Sequence, residues 1–306
     1  MSTGVVTTGS TPRLLISAMI SNLFGMEYKQ HKAVHPLIYD KKSSSQNFEE
    51  AVLLQGLGVA SRKNEGSTIA LDSYKQAAAR RTVHQVWGKA LKVTMEQFED
   101  NLHMNVAQVA SKELAKALFH AKEINAAAIF NNATSTSAPY VGWDAVALLS
   151  TAHPTGLGST FTNRASTDFS ELALEQAVID ILGWIGYDGL RVNVNHDNLK
   201  LLIPRQELFN VHRILKSDLQ SNSAEHNANA VKDMGIVSQI IPWVFLTDSD
   251  AWFVLTGERG LCYYDRQAPK THHYQEDSTM DSIYQIYERY SFDHFDPHAV
   301  YGSPGA

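Results

Sequence analysis

The strongest pattern of apolar and polar positions in the chain lies between residues 105 and 132. Apolar residues recur there at steps of three and four, which is the spacing of one face of an α-helix. They are Val106, Val109, Ala110, Leu114, Ala117, Leu118, Ala121, Ile124 and Ala128. The charged residues fall mostly outside this stripe, and they are Lys112, Lys116, Lys122 and Glu123. The pattern predicts a helix of roughly 40 Å, at about 1.5 Å per residue, that buries Leu114 and Leu118.

The region before this helix has shorter apolar stretches. In residues 47–82 they are separated by Gly56, Gly58 and Gly66 around a charged tip, which favours a long, exposed, two-stranded loop. Such a loop needs a surface to lie on, because isolated hairpins are marginally stable in water. Residues 82–94 are rich in β-branched and aromatic side chains, which predicts a strand.

Helices and strands interleave after residue 140 without a regular β-α-β order. The pattern predicts a helix at 168–185 opened by Asp168 and Glu171, strands at 199–204 and 240–246, a helix at 205–219, a polar loop at 221–235, a hairpin at 250–265 that turns between Gly257 and Gly260, and a strand at 281–293. Residues 1–46 contain only short apolar pieces and favour an extended arm that packs on something else.

Composition narrows the class of protein. The chain has 306 residues, of which 44% are hydrophobic and 19% charged, so it is long and apolar enough to bury a substantial core. Its net charge of −6 lacks the basic surplus of a protein that binds phosphates tightly. Cys262 is the single cysteine, which excludes a disulfide within the chain.

Targeting signals are not evident in the sequence. The N-terminus has no charged segment followed by an apolar one, so we expect no signal peptide. The longest strongly apolar stretch, residues 240–246, is too short to span a bilayer as a helix. We therefore expect a soluble protein made in a reducing compartment.

A first chemical hypothesis comes from residues 148–166, LLSTAHPTGLGSTFTNRAS. Ser150 and His153 lie close together there, as a nucleophile and its base would in a hydrolase. The strand and helix that flank a G-x-S-x-G nucleophile are missing, however. Pro154 with the glycines that follow it favours a turn. A turn is therefore the preferred interpretation, and a hydrolase remains the alternative.

The histidines suggest a second hypothesis, a metal site. Residues 31–35 and 294–298 both have the spacing H-x-x-x-H, but Pro36 and Pro297 argue against the helix that would place each pair on one face. Neither match contains the glutamate of H-E-x-x-H. We therefore predict no catalytic residue, no metal site and no cofactor. A chain with an arm, a projecting loop and no site is typical of a protein that functions through contacts with its own copies.

Several stretches resemble the major capsid proteins of tailed bacteriophages. They are residues 148–181, 199–221, 240–256, 260–269 and 288–306, and they occur in the order of that family. Residues 38–40 and 47–51 match more loosely. Asp293–His294 and His298–Ala299 replace the Gly-Trp and Arg-Gly that the family pattern has near its end.

The resemblance implies the α+β capsid-floor fold that tailed phages share with herpesviruses. The implied division is an N-terminal arm at 1–46, an extended loop at 47–82, a peripheral domain at 83–139 and 263–290 with its spine helix at 105–132, and an axial domain at 140–262 and 291–306. Residues 148–166 would then connect the spine helix to the axial domain, with Ser150 and His153 in turns.

The resemblance also implies a structural function. Copies of the chain would assemble into pentamers and hexamers that form the icosahedral head of a phage and enclose double-stranded DNA without sequence-specific binding. Scaffolding, portal and decoration proteins are further candidate partners, and no membrane is involved. The implied location is the virion, and the host cytoplasm before assembly. The competing hypothesis is a hydrolase that uses Ser150 and His153, or a histidine metal site.

Overall fold

The computed structural model describes residues 24–26, 28, 32–73, 75–96, 103–155, 158–219 and 228–305. Most of the arm expected at residues 1–46 therefore lies outside the described residues. In the described part of the chain, eight strands form two four-stranded sheets, and the other four strands form two antiparallel pairs. One long helix packs against both sheets.

The secondary structure follows the predicted order. The helices are α1 (His35–Ile38), α2 (His103–Asn131), α3 (Glu171–Leu182), α4 (Leu208–Lys216) and α5 (Ala230–Met234). The strands are β1 (Asp40–Ser43), β2 (Phe48–Gln55), β3 (Lys75–Val83), β4 (Gln85–Val93), β5 (His153–Pro154), β6 (Thr160–Phe161), β7 (Leu199–Pro204), β8 (Val237–Trp243), β9 (Trp252–Leu255), β10 (Leu261–Gln275), β11 (Ser282–His294) and β12 (Val300–Ser303). Short 3-10 turns occur at His196–Asn198, Arg205–Glu207 and Pro297–Ala299.

The first sheet has the strand order β1-β10-β11-β4. Strands β10 and β11 are long antiparallel partners, and β4 continues the sheet along the other edge of β11. The N-terminal half of α2 lies on this sheet, where Leu114 and Leu118 are buried together with Ile286 of β11 and Phe24. The burial predicted for these two leucines is confirmed.

The packing of Leu118 predicts a measurable loss of stability on truncation. Only 2% of Leu118 is exposed, so Leu118→Ala should leave a cavity and lower the free energy of unfolding by about 2–5 kcal/mol. Urea denaturation of the two proteins measures the difference. An unchanged midpoint of urea denaturation would show that Leu118 is not packed in the core.

The rest of the predicted stripe on α2 is partly wrong. Val109 is 61% exposed and Ile124 is 54% exposed, whereas Lys122 and Glu123 are buried. The C-terminal half of the helix is enclosed by the second sheet and by the chain around α1, so that Ala126, Ala127 and Phe130 are also buried. Polar side chains are accommodated on this half because they find partners there, as described below.

The second sheet has the order β12-β9-β7-β8 and separates two cores. On one face, Leu202 and Phe253 pack with the end of α2. On the other face, Leu201 and Val254 pack with α3, α4 and α5. The alternation of side chains along each strand produces this division, because neighbouring residues point to opposite faces.

The hairpin predicted at 250–265 is wrong. Strand β9 pairs with β7 and β12 in the second sheet, whereas β10 pairs with β1 and β11 in the first. The chain passes from one sheet to the other at Gly260, where a Cβ atom would lie 2.5 Å from the carbonyl oxygen of Asp296. Glycine is therefore required by close backbone approach rather than by a hairpin turn.

Three smaller predictions also need correction. Helix α3 is capped by Ser170, whose hydroxyl accepts from the Ala173 N–H, and not by Asp168. Part of the predicted polar loop at 221–235 is the short helix α5, and residues 220–227 lie outside the described ranges. Helix α1 forms despite Pro36, because proline at the start of a helix needs no N–H partner. Among the described helices, none has the length and apolar character needed to cross a membrane.

The extended loop is a hairpin at its base. Strands β2 and β3 pair antiparallel from Phe48–Val83 to Gln55–Lys75. Residues 56–73, all of which are described, form no helix or strand. The predicted pairing is therefore confirmed at the base of the loop, but it does not extend through residues 56–73.

Candidate functional site

Ser150 and His153, the pair suggested by residues 148–166, do not have the hydrogen bonds of a nucleophile and its base. His153 is buried, and its Nδ1 lies 2.7 Å from Oδ2 of the buried Asp144. Its Nε2 lies 3.1 Å from Oδ1 of Asn163. Both ring nitrogens therefore face oxygen acceptors within the fold, which leaves no free nitrogen to take a proton from Ser150.

Ser150 has a local role in the backbone. Its hydroxyl accepts from the Ala152 N–H at 3.2 Å, and its own N–H donates to Asn163 Oδ1 at 2.9 Å. The amide of Asn163 donates in turn to the carbonyl oxygens of Leu148, Pro297 and Val300, at 2.8, 3.1 and 3.1 Å. The segment thus joins the chain after α2 to the C-terminal strand region. Arg164 has no carboxylate within ion-pair distance among the described residues, although its backbone bridges to Gly302.

These contacts predict a large loss of stability when His153 is replaced by alanine and a small change when Ser150 is replaced. His153→Ala should lower the free energy of unfolding by about 2–3 kcal/mol, because it leaves the buried Asp144 carboxylate with the N–H of Val146 as its remaining donor. Ser150→Ala should change it by about 0.5 kcal/mol or less. Thermal or urea unfolding measures both. Hydrolysis of ester or peptide substrates by the unmodified protein, lost in both variants, would contradict the structural interpretation.

The base of the extended hairpin is held by one arginine. Arg80 of β3 places Nε 2.7 Å from Oδ1 of Asp293, and its Nη2 donates to the carbonyl oxygen of Pro139 at 2.9 Å. Its Nη1 donates to the carbonyl oxygen of Val141 and, at 3.3 Å, to Nε2 of His294. Arg80 therefore connects the hairpin to the end of β11 and to the chain that follows α2.

The acceptors of Arg80 are buried. Asp293 is 2% exposed and also accepts from the Thr82 hydroxyl at 2.5 Å. Burial raises the pKa of Asp293, and the nearby Arg80 only partly offsets this effect. Asp293 and His294 both lie against Arg80 in the structure. A cleft of about 480 Å³ lies beside this cluster, between the hairpin base, α2 and β11.

The lowered pKa of His294 predicts that the stability of the protein depends on pH. Its burial, together with the positive charge of Arg80, lowers its pKa to about 3. Below the ordinary histidine pKa, about 6.5, the unfolded chain binds a proton that the native state does not, so stability is lost as the pH falls. The expected contribution is about 2 kcal/mol between pH 7 and pH 5.

Urea denaturation across this pH range tests the effect. In His294→Gln, the free energy of unfolding should fall less between pH 7 and pH 5 than it does in the unmodified protein. In His212→Gln, at an exposed position, it should fall as much as in the unmodified protein. Equal pH profiles for His294→Gln and the unmodified protein would contradict the assignment.

A buried carboxylate on the long helix joins three parts of the fold. Glu123 Oε1 accepts from Nδ1 of His35 at 2.7 Å and from the backbone N–H groups of Val34 and His35 at 3.1 and 3.4 Å. Its Oε2 accepts from the indole N–H of Trp243 in β8 at 2.8 Å. Burial raises the pKa of Glu123, but the hydrogen bonds from His35 and Trp243 outweigh this effect and hold the pKa below its ordinary value.

The neighbouring Lys122 forms a second buried charge pair. Its Nζ lies 2.6 Å from Oε2 of Glu288 in β11 and donates to the Tyr28 hydroxyl at 2.8 Å. The ammonium also lies 5.1 Å from the centre of the Tyr290 ring and 5.7 Å from that of Tyr263. Lys122 and Glu123 thus attach α2 to the first sheet and to the chain around α1. Their charge placed them outside the predicted stripe, so the sequence pattern missed both.

The described residues contain no group of three or more histidine, cysteine or carboxylate side chains placed to hold a metal ion. Buried polar clusters instead connect segments that are distant in sequence. The features with functional meaning are therefore the hairpin with its anchored base, the buried charges of α2, and the surfaces that these elements leave exposed.

Comparison with known proteins gives the fold. No family model and no curated protein matches the chain. A virus-like particle from Pyrococcus furiosus is 9% identical and has a TM-score of 0.53, with 94% of this chain and 98% of that chain covered. The capsid of the cyanophage P-SCSP1u is 11% identical with a TM-score of 0.55, covering 88% and 86%. The capsid of an empty GTA particle is 13% identical with a TM-score of 0.55, covering 90% and 90%. The chain has the mixed α+β fold of these capsid proteins.

Proposed function

We propose that the chain is the major capsid protein of a tailed bacteriophage, whose copies assemble into the pentamers and hexamers of an icosahedral head. The observation that carries the proposal is the fold, which matches the chain of the virus-like particle from Pyrococcus furiosus over 94% of this sequence and 98% of that chain. The capsid-like stretches of the sequence support it independently, because they occur in family order along most of residues 48–306.

The two sheets support a division of the chain between two domains. The first sheet and the N-terminal half of α2 correspond to the proposed peripheral domain at 83–139 and 263–290. The second sheet with α3, α4 and α5 corresponds to the proposed axial domain at 140–262 and 291–306. The hairpin at 47–82 is the proposed extended loop, and residues 1–46 are the proposed arm.

The surface of the extended loop favours assembly over a monomeric function. Val59, Ile69 and Leu71 are 80%, 73% and 98% exposed. A loop with so many exposed apolar side chains gains stability when a neighbouring subunit covers them. The net charge of −6 fits a container, since a shell that bound DNA strongly would hinder its entry and release.

The role proposed for the chain is structural, with no catalytic step. The alternative hydrolase would need Ser150 next to a free histidine nitrogen, and His153 is occupied by Asp144 and Asn163. The proposed partners are copies of the same chain, together with scaffolding, portal and decoration proteins. The proposed location is the virion around double-stranded DNA, and the host cytoplasm before assembly.

Purification of the expressed chain tests the proposal. Size-exclusion chromatography and electron microscopy should show closed shells, tubes or capsomer-sized rings. A persistent monomer or dimer under all conditions, with hydrolytic turnover that depends on Ser150 and His153, would overturn it.

A further inference from the structure

Two buried histidines stack on the ring of Phe161. His153 of β5 faces Phe161 of β6 across the strand pair, and their ring centres lie 5.1 Å apart with 24° between the ring planes. His298, in the 3-10 turn Pro297–Ala299, has its ring centre 4.1 Å from that of Phe161, with 16° between the planes. Since His153 is 1% exposed and His298 is 4% exposed, their ring nitrogens depend on hydrogen-bond partners within the fold.

The contact between His153 and Asn163 places a hydrogen on Nε2 of the histidine. The backbone N–H of Ser150 donates to Oδ1 of Asn163 at 2.9 Å, and Nδ2 of Asn163 donates to three backbone carbonyl oxygens at 2.8, 3.1 and 3.1 Å. If the amide were turned round, its NH2 group would meet the Ser150 N–H and its oxygen would meet the carbonyl oxygens. Oδ1 is therefore the atom that lies 3.1 Å from Nε2 of His153, and Nε2 must donate.

The other ring nitrogen of His153 faces a carboxylate. Nδ1 lies 2.7 Å from Oδ2 of Asp144, whose side chain is 1% exposed, and Oδ1 of Asp144 accepts from the Val146 N–H at 3.1 Å. An ionised carboxylate can only accept hydrogen bonds. Because a carboxyl group ordinarily ionises at a lower pH than the pH at which an imidazole loses its proton, the hydrogen between the two groups belongs to His153.

His298 has partners of the same kind. Its Nδ1 lies 2.7 Å from Oδ1 of Asp296, and its Nε2 lies 3.3 Å from the carbonyl oxygen of Ile185. A backbone carbonyl can only accept, so Nε2 must donate, and the carboxylate accepts from Nδ1. Both nitrogens of both rings therefore face acceptors.

The remaining titratable groups around the stack leave these two charges uncontested. His294 of β11 lies close enough to His153 for their charges to interact, but burial and the charge of Arg80 lower the pKa of His294 to about 3, so it is neutral at neutral pH. The guanidinium of Arg80 is itself paired with Asp293. Burial, together with the two aspartates of the stack, raises the pKa of Tyr187, which is therefore uncharged.

We propose that His153 and His298 are held as imidazolium ions in the folded subunit, and that raising the pH removes these protons and loosens the joint around Phe161. Deprotonation would leave Nδ1 of His153 as a lone pair 2.7 Å from the Asp144 carboxylate, which then loses a charged donor. The joint connects the chain that follows α2 to the C-terminal segment, because the amide of Asn163 bonds to carbonyl oxygens of both. The proposal concerns the subunit itself and does not depend on shell formation.

The expected dependence on pH has the opposite sign to that of His294. Histidines of the unfolded chain lose their protons near pH 6.5, at about their ordinary pKa, whereas the folded subunit retains the two protons of the stack. The folded state therefore binds more protons above this pH, and its stability falls as the pH rises. The contribution of the stack is fully present below about pH 6.5 and is lost towards alkaline pH. His294 acts on the acid side and the stack on the alkaline side.

Nitrogen NMR of protein labelled with 15N-histidine tests the protonation directly. At pH 7 to 8, both ring nitrogens of His153 and of His298 should carry hydrogen, and His153→Gln and His298→Gln assign the signals. His196 is the matched control, because its Nε2 lies 3.2 Å from Asp197 but its side chain is 40% exposed, so at pH 8 one of its nitrogens should be bare. Free subunits are measured in solution and particles by magic-angle spinning. A bare nitrogen on His153 or His298 at pH 7 would overturn the proposal.

Urea denaturation between pH 7 and pH 9 tests the loosening of the joint. The folding equilibrium constant should fall with rising pH by up to about tenfold per pH unit for each retained proton. Asp144→Asn should remove one proton's share of this fall, because an asparagine amide can donate to a bare Nδ1 of His153. Asp197→Asn, at the exposed pair, should leave the pH profile unchanged. A stability that stays constant from pH 7 to pH 9 in the unmodified protein would overturn the proposal, and so would equal profiles for the two variants. If Asp144→Asn does not fold, the NMR of the unmodified protein decides.

Discussion

Replacing Glu123 with alanine is expected to lower the free energy of unfolding by about 3–5 kcal/mol, because it breaks a fully buried charge cluster. Glu123 is 0% exposed, and its carboxylate accepts from His35, Val34 and Trp243. Removing it leaves the Trp243 indole N–H and the His35 ring buried without this acceptor. Urea denaturation at neutral pH measures the loss.

The adjacent residue is the matched control for this experiment. Ile124 is 54% exposed, so Ile124→Ala should change stability by about 0.5 kcal/mol or less. The apolar pattern of the sequence predicts the reverse order, with Ile124 in the core and Glu123 outside it. Equal losses in the two variants, or a larger loss for Ile124→Ala, would contradict the structure.

The pH dependence of the same residue has a defined sign. The folded pKa of Glu123 lies below its ordinary value. Its ionised form therefore stabilises the protein above the pKa of the unfolded chain, and this contribution is lost as the pH falls through the lower, folded pKa. The difference in stability between Glu123→Gln and the unmodified protein should shrink at acid pH. A constant difference down to that range would show that Glu123 is not ionised in the fold.

Deleting residues 60–74 is expected to leave a folded subunit that does not close into stable shells. The deleted segment adds little to the core, since Ile69 and Leu71 are 73% and 98% exposed. The hairpin base stays attached through Arg80 and Asp293. In an assembled particle, the same apolar side chains would lie on the next subunit, and the ordering of the loop would be offset by that contact.

Electron microscopy and hydrogen exchange measure the effect of the loop. We expect slow exchange of residues 56–73 in particles and fast exchange in free subunits. Serine at Val59, Ile69 and Leu71 together should reduce the yield of shells, whereas Val86→Ser, at a 63% exposed position on β4, should not. Normal shells from the shortened chain, or equal exchange in both states, would show that the loop does not join subunits.

The hydrolase hypothesis shows why sequence proximity alone misleads about a site. Ser150 and His153 are neighbours in the chain, but the hydrogen bonds of His153 go to Asp144 and Asn163. Asn163 lies in the same polar stretch as Ser150 and His153, but a single asparagine there matches no catalytic motif. Its amide nevertheless contacts backbone carbonyls more than 130 residues away in the chain.

Local patterns in the sequence determined the elements of this protein. The long helix α2, the hairpin base and the strands β7, β8 and β11 follow from short-range periodicity, because a helix or strand exposes one face at a fixed spacing. The α+β class and the capsid fold followed from the resemblance of extended stretches. Burial of Leu114 and Leu118 could be predicted because a long apolar stripe must be covered.

Tertiary structure alone decided which polar residues are buried and which strands pair. Glu123 is separated by 88 residues from His35 and by 120 from Trp243, and no local pattern reports that three such segments meet. Strands β9 and β10 are close in the chain yet belong to different sheets, because long-range pairing with β7 and β11 takes the place of a local hairpin. A charged side chain can be buried when distant donors satisfy it, and those donors come together only when the chain folds.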